Sequence, residues 1–73
     1  MFNIQGRLYA YYIIKSVCFD IDFNECQIYI EFGDDEIQKK CSIVMSYPAK
    51  NDKEISNESI INFVEEELKK YKI

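Results

Sequence analysis

A set of oxygen-bearing side chains near the middle of the chain has the spacing of a calcium-binding loop. Counted from the first carboxylate, loop positions one, three, five and twelve are occupied by Asp20, Asp22, Asn24 and Glu31. Their oxygens are ligands that Ca²⁺ takes in an EF-hand, but the sixth position of such a loop is glycine and is Glu25 here. Residues 19–32 also alternate between apolar and polar types, which is typical of half-buried strands. Because the alternation explains the whole stretch, we predict a β-hairpin and no metal site.

The other reactive side chains do not form a recognisable catalytic or zinc site. The cysteines are Cys18, Cys26 and Cys41, with no Cys-x-x-Cys spacing and no histidine in the chain. A zinc site therefore lacks ligands, and a cysteine nucleophile lacks the base that would form its thiolate. No glycine-rich phosphate loop or serine elbow is present either. We predict that the cysteines are reduced, and that the protein is not an enzyme and binds no cofactor.

The length and charge of the chain limit its class. Its 73 residues are enough for one small domain, residues 1–73, and a composition of 48% hydrophobic and 30% charged residues is that of a globular protein. The net charge of −4 argues against nucleic acid as the ligand, because phosphate binding depends on clustered Lys and Arg. An acidic surface fits a basic protein partner, or it only keeps the domain soluble.

The chain shows no membrane or export signal. Its longest mostly apolar run, residues 8–14, is far shorter than the roughly 20 residues of a membrane-spanning helix. The N-terminal MFNIQGR lacks the basic region and apolar core of a signal peptide. We therefore expect a cytoplasmic protein, in its own cell or in a host cell, without a membrane partner.

The last segment, residues 56–71, has the pattern of an amphipathic helix. Apolar residues recur at helical spacing and form one stripe of Ile60, Val64, Leu68 and Tyr71. Ser56 is a favourable N-cap, and Ile55 and Ile60 are placed for a hydrophobic staple across it. We also expect two i,i+4 ion pairs on the helix surface, Glu65–Lys69 and Glu66–Lys70.

Residues 17–47 fit an antiparallel hairpin followed by a third strand. A two-residue turn at Asn24–Glu25 and a loop at residues 33–36 place almost every apolar side chain on one face. That face is predicted to hold Val17, Phe19, Ile21, Phe23, Cys26, Ile28, Ile30, Phe32, Ile37, Cys41 and Ile43. The opposite face is predicted to hold Cys18, Asp20, Asp22, Gln27, Tyr29, Glu31, Gln38, Lys40 and Ser42. Lys39 is the exception, since this register puts it on the apolar face opposite Ile30.

The N-terminal segment is ambiguous between strand and helix. Residues 7–15 are apolar on both faces and rich in Tyr and Ile, which favours a strand covered on both sides. With a strand here, the fold is α+β, an antiparallel three- to four-stranded β-meander with one C-terminal helix packed on a face. With a helix here, the order becomes α-β-β-β-α, which is similar to that of double-stranded-RNA-binding domains. Those domains need lysines at the start of the last helix, where this chain has NESIINFVEEE.

The polar face of the hairpin is the surface with the clearest potential for binding. We predict that a partner contacts an acidic, tyrosine-bearing patch formed by Asp20, Asp22, Tyr29, Glu31, Asp34, Asp35 and Glu36. The expected function is that of a small protein-binding module or stoichiometric inhibitor of a basic protein. Antitoxins and phage-encoded antagonists of host nucleases share this profile of size and charge. The alternatives are a nucleic-acid-binding module with the α-β-β-β-α order and a homo-oligomer, such as a homodimer, that pairs through an open sheet edge.

Overall fold

The computed structural model describes residues 1–35 and 39–73 and has the predicted α+β class. Its elements in chain order are strands β1 (Phe2–Ile4), β2 (Arg7–Tyr9), β3 (Tyr11–Asp20), β4 (Glu25–Asp34) and β5 (Lys39–Pro48), a 3₁₀ turn (Asp52–Glu54) and helix α1 (Asn57–Leu68). β3, β4 and β5 form an antiparallel meander in that order, and β1 and β2 form a separate hairpin. Residues 7–15 lie in β2, β3 and the bend between them, so the alternative order with an N-terminal helix is wrong.

The N-terminal hairpin is set by a two-residue turn. Gln5 and Gly6 both have positive φ, 53° and 85°, which is the geometry of the tight turns that suit β-hairpins. Glycine adopts such a φ without strain, and the Gly6 N–H donates to Oδ1 of Asn3 at 3.0 Å. A bend at Ala10 then separates β2 from β3, so the single strand predicted over residues 7–15 is divided.

The turn between β3 and β4 is longer than predicted. It spans residues 21–24, so the two-residue turn predicted at Asn24–Glu25 is wrong. Its geometry depends on Asn24, whose φ of 52° is left-handed. The Asp20 carboxylate also accepts the N–H of Asp22 at 3.0 Å, as in an Asx-turn.

The longer turn shifts the pairing of β3 with β4 but keeps the two faces. Phe19 pairs with Cys26, whereas the predicted turn would have paired it with Ile30. The shift is an even number of residues, and side chains alternate with a period of two, so the strand residues stay on their predicted faces. Ile21 and Phe23 are the exceptions. They were predicted to face the core, but they lie in the turn and are 74% and 73% exposed.

The pairing of β4 with β5 differs from the prediction in the same way. Ile28 pairs with Met45, where the predicted register has Cys41. Lys39 was expected among apolar side chains, but it is exposed at the end of the sheet, where it pairs with Asp34. A charged residue at a strand end remains solvated, so the departure from the alternating pattern carries little cost.

A β-bulge at Lys15 interrupts the pairing of β3 with β4. The register shifts between Ile14 and Ser16, so Lys15 is the extra residue. β3 is also less covered than the sequence suggests, since Ile13 on one face and Val17 on the other are each 44% exposed. Residues 7–15, where Leu8 and Ile13 are each 44% exposed, are therefore not buried on both sides, and that prediction is wrong.

The two faces of the meander have different surroundings. The inner face packs against α1 and the N-terminal hairpin, and the core comprises Ile4, Tyr9, Cys26, Ile28, Ile30, Phe32, Met45, Ile60, Val64 and Leu68. The outer face is the opposite one, and its described residues include Ile13, Ser16, Cys18, Asp20, Glu25, Gln27, Tyr29, Glu31, Lys40, Ser42 and Val44. Ile60, Val64 and Leu68 are buried in this core, which confirms the apolar stripe predicted for the helix, and Tyr71 packs against the same core. The predicted positions of Ile37 and Gln38 lie outside the described residues.

Helix α1 begins as the sequence predicts. The Ser56 hydroxyl accepts the N–H of Ser59 at 3.1 Å, and the Ser59 hydroxyl accepts the N–H of Ser56 at 3.0 Å. This reciprocal capping box satisfies two donors that the first turn leaves without helical partners. Ile55, one residue before the cap, is partly buried and packs against the core cluster that contains Ile60.

The ion pairs at the other end of α1 differ from the predicted ones. The last helical residue is Leu68, and the lysines that follow lie in a turn. Lys69 contacts Glu66 and Lys70 contacts Glu67, each at 2.9 Å, so the spacing is i,i+3 and the predicted i,i+4 pairs are wrong. Both lysines are exposed, and such surface pairs add only about 0.2–1 kcal/mol each.

Candidate functional site

The outer face of the sheet has an uncharged, partly apolar centre. Tyr29 lies on the middle strand and pairs with Ser16 of β3 and Val44 of β5. Ile13 is adjacent to this row, because its partner Glu31 is the next outward-facing residue after Tyr29 on β4. Ile13, Tyr29 and Val44 are 44%, 47% and 54% exposed. Diagonal neighbours on a sheet are about 7–8 Å apart, so these three side chains form one exposed strip across the sheet, the central strip.

Acidic residues lie at the end of the outer face nearest the β3–β4 turn. Asp20 and Glu25 pair directly across the two strands, and Asp22 follows in the turn. Asp20 accepts the Asp22 N–H, and Oε1 of Glu25 accepts Nε2 of Gln27 at 3.4 Å. None of these three carboxylates forms an ion pair with a described residue. This end of the face therefore carries negative charge that no described ion pair compensates, and the directly opposed carboxylates of Asp20 and Glu25 repel each other.

The opposite end of the outer face is also acidic, because Asp35 follows β4 there. Asp34 is one position earlier and lies on the inner side of β4, where it pairs with Lys39, and Glu36 of the predicted patch lies outside the described residues. The ring of Tyr11 lies directly over its cross-strand partner Gly33, and its hydroxyl donates to Oδ1 of Asp35 at 3.3 Å. Burial, followed by the negative charge of Asp35, raises the pKa of the Tyr11 hydroxyl. The hydroxyl therefore remains a hydrogen-bond donor to this carboxylate in neutral solution.

The six described residues of the predicted patch therefore do not form one continuous surface. Glu25 and Gly33 mark the two ends of the outer face on β4, and a rise of about 3.3 Å per residue separates them by about 26 Å. Tyr29 lies between the two acidic groups on the predicted face. Glu31, also on that face, is only 19% exposed and contacts Nζ of Lys40 at 3.8 Å, so its charge is partly compensated.

Two residues of the central strip were missed by the sequence analysis. Val44 could have been found, because the alternation that sends Cys41, Ile43 and Met45 inward sends Val44 outward. Ile13 could not, because its face depends on the bulge at Lys15. Without Ile13 and Val44, Tyr29 is an isolated aromatic residue; with them, it belongs to an exposed apolar surface.

The cysteines occupy three different environments. Cys18 is exposed on the outer face of the sheet. Cys41 is half-buried and Cys26 is fully buried, both on the inner face, and all three are free thiols. Burial raises the pKa of the Cys26 thiol, which disfavours its reactive thiolate form. A hydrogen bond with Cys41, followed by burial, also raises the pKa of the Tyr9 hydroxyl. The two inward-facing cysteines thus behave as core side chains, as predicted from the alternation.

The residues with calcium-loop spacing are separated in the fold. Asp20, Asp22 and Asn24 lie in or beside the turn, but Glu31 lies well along β4, roughly 20 Å beyond Glu25 at 3.3 Å per residue. Among the side chains that the structure describes, no group of three from His, Cys, Asp or Glu is placed to hold a metal ion. The stretch is a hairpin, as its alternation indicates.

The class of the protein is defined by its architecture, a small α+β fold with a three-stranded meander. No family model, curated protein or solved structure matches the chain. In the part of the chain that the structure describes, no helix has the length and apolar character needed to cross a membrane.

Proposed function

We propose that the protein is a cytoplasmic protein-binding module, a stoichiometric binder or inhibitor that docks its outer face on a basic partner and catalyses no reaction. The observation that supports this proposal is the central strip, whose three side chains stay about half exposed in the middle of the sheet. Interfaces typically have an apolar, Tyr-rich centre surrounded by a polar rim. The central strip has the composition of such a centre.

Acidic residues on the two sides of the strip supply the rim. Asp20, Asp22 and Glu25 lie on the side of the β3–β4 turn, and Asp35 lies on the other side. Charges at a rim act mainly on the rate of encounter and on the choice of partner. The partner that fits this face has an apolar contact surface between two groups of Lys or Arg, such as a basic enzyme or a nucleic-acid-binding protein.

The proposal is tested by capturing the partner and measuring its affinity. Immobilised protein is incubated at low ionic strength with an extract of the cell it comes from, and the retained proteins are identified by mass spectrometry. The dissociation constant of the recovered partner is then measured with Tyr29→Ala. We expect a loss of about 30-fold or more, because truncating a central interface residue typically costs about 2 kcal/mol or more.

Leu8→Ala is the matched control for this measurement. Leu8 is 44% exposed, close to the 47% of Tyr29, but it lies on the separate hairpin. This variant should bind as the wild type does. Recovery of no partner, or of a partner that binds Tyr29→Ala with wild-type affinity, would contradict the proposal.

The role of the acidic residues can be tested separately, through the salt dependence of binding. Replacing Asp20 and Glu25 together by Asn and Gln keeps the shape of the turn end and removes two charges. We expect binding to weaken and to depend less steeply on salt concentration, because rim charges are screened by ions. An unchanged salt dependence would show that the turn-end acids do not face the partner.

A further inference from the structure

Among the described strands, β3 and β5 are the two edges of the sheet, and the β3 edge is the one that borders an apolar groove. β3 pairs with β4 on one side, and no described strand pairs with its other side. The bulge at Lys15 protects the first half of this edge, since a bulge and an edge lysine both hinder pairing with another chain. Beyond it, residues 16–20 form a regular strand without a bulge, proline or positive charge. An exposed strand of this kind is a template for pairing with a further strand.

An apolar groove runs beside this open edge on the inner face. Its volume is about 290 Å³, and it is lined by Ile14, Val17, Ile55, Ser56, Asn57, Ile60 and Ile61. Val17 and Ile61 are 44% and 48% exposed, so neither β3 nor α1 covers the other completely. The groove is therefore a part of the core surface that this chain leaves open.

The turn that follows β3 carries two exposed apolar side chains of the kind that could fill such a groove. Ile21 and Phe23 are 74% and 73% exposed, among the highest values of any large apolar residue in the fold. Their own chain gives them little packing, and two large apolar side chains at a turn tip favour a binding surface.

The total accessible surface is consistent with a missing contact. It measures 5332 Å² for a chain of 8.7 kDa, whereas a monomeric protein of that mass exposes about 4700 Å². The difference, about 600 Å², approaches the roughly 800 Å² that each partner buries in a standard protein–protein interface.

We propose that a second copy of the chain occupies this edge, with residues 16–20 of the two β3 strands pairing antiparallel about a two-fold axis at Cys18. Directly opposed residues lie on one face, so Val17 of each copy faces Phe19 of the other on the inner side. Ser16 of each copy faces Asp20 of the other on the outer side. The two meanders then form one continuous six-stranded sheet.

In this pairing the exposed turn of each copy covers the groove of the other, and opposite charges come together. Because Asp20 of one copy lies opposite Ser16 of the other, the turn that follows Asp20 comes alongside Ile14 and the groove. Ile21 and Phe23 are then available to fill it. Lys15, which forms no ion pair with the described residues of its own chain, is adjacent to Asp20 of the second copy. The contact is thus complementary in shape and in charge, despite the net negative charge of the chain.

The first test is the mass of the purified protein in solution. Sedimentation equilibrium under reducing conditions at about 100 μM, a concentration that detects even weak dimers, should give twice the 8.7 kDa of the chain. Val17→Lys should shift the protein to the monomer, because it places a charge opposite Phe19 of the second copy. Leu8→Lys is the control, since Leu8 is also 44% exposed but lies on the N-terminal hairpin, and it should stay dimeric.

The second test is specific for the register. Across an antiparallel pair, opposed Cβ atoms are about 4.5–5.5 Å apart, close to the 3.5–4.5 Å of a disulfide. Diamide, which accepts two electrons and two protons from a pair of thiols, should therefore join the two Cys18 side chains. A cross-linked dimer should form with the wild type and not with Cys18→Ser. The buried Cys26 and half-buried Cys41 should stay reduced.

Three outcomes would overturn the proposal. They are a monomeric wild type, a dimer that Val17→Lys leaves intact, and a dimer that diamide does not cross-link through Cys18. If circular dichroism shows that Val17→Lys is unfolded, Phe23→Ser replaces it, because Phe23 is 73% exposed in a turn. That variant should also be monomeric. All measurements use the purified chain alone, so their result does not depend on the function proposed for the outer face.

Discussion

The position of Gly33 leaves no room for a side chain. A Cβ atom built at this position would lie 2.5 Å from the hydroxyl oxygen of Tyr11 and 2.6 Å from the nearest atom of its ring. A glycine inside a strand is usually weakening, but here the ring of its cross-strand partner fills the space above the backbone. The pair also aligns the Tyr11 hydroxyl with Asp35.

Gly33→Ala should therefore destabilise the fold. The new methyl group forces the Tyr11 ring away from the sheet, and overpacking of this kind costs about 1–3 kcal/mol. Urea unfolding measures the change in free energy. The displaced ring also loses its burial and its bond to Asp35, so the pKa of Tyr11 should fall back towards its ordinary value, which an ultraviolet tyrosine titration detects.

The control for this prediction is a double-mutant cycle with Tyr11→Ala. Once the ring is gone, the Gly33→Ala substitution has nothing to displace, and its cost should largely disappear. An equal cost in both backgrounds would place the strain in the backbone of β4 and not in the contact between the two side chains.

Among the secondary-structure elements, helix α1 allows a direct test of how much its N-terminal cap stabilises the fold. Ser56→Ala removes the hydroxyl that accepts the Ser59 N–H, whereas the Ser59 hydroxyl can still accept the backbone N–H of residue 56. N-cap losses cost about 1 kcal/mol, so we expect a drop of that size in the free energy of unfolding. Ser56→Asp keeps an oxygen acceptor and should be close to the wild type. If both variants lose the same amount, the cap is not the cause.

The faces of the strands and the helix stripe were predictable, but the pairing of the strands was not. Alternation has a period of two, so it cannot distinguish registers that differ by an even number of residues. The choice depends on the turn, where Asn24 takes a left-handed φ and Asp20 accepts a backbone N–H. A two-residue turn satisfies the same hydrophobic pattern, which is why Ile21 and Phe23 were wrongly predicted in the core.

The candidate site shows the same limit. The outward position of Tyr29 and Glu31 follows from alternation alone, and the structure has both there. Which side chains surround Tyr29 depends on the register of two other strands and on the bulge at Lys15. Most of the acidic residues lie at or beside the two ends of β4 in the sequence. Because β4 is an extended strand, its length separates them in space. Closeness along a chain therefore does not predict a compact patch on a sheet.

In the molecule as a whole, the two ends of the chain close the same side of the core. The N–H of Asn3 donates to the carbonyl oxygen of Tyr71 at 2.7 Å, and the N–H of Ile73 donates to that of Met1 at 3.2 Å. The ring of Tyr71 contacts Phe32 with centroids 6.4 Å apart. The short N-terminal hairpin thus gains a third extended segment from the residues after α1, which a two-stranded hairpin needs for stability.

Removing residues 71–73 should therefore release the hairpin as well as the tail. The truncation deletes one ring from the edge of the core and the two backbone hydrogen bonds that join the tail to Met1 and Asn3, a combined loss of about 2–4 kcal/mol. In a domain of this size that is a large part of the stability, so urea unfolding should shift clearly and hydrogen exchange at the Asn3 amide should accelerate. Ile73→Ala is the control: Ile73 is 75% exposed, and the substitution keeps its backbone N–H. A truncated chain with wild-type stability and a protected Asn3 amide would show that β1 and β2 are held by their own turn and by β4 without the tail.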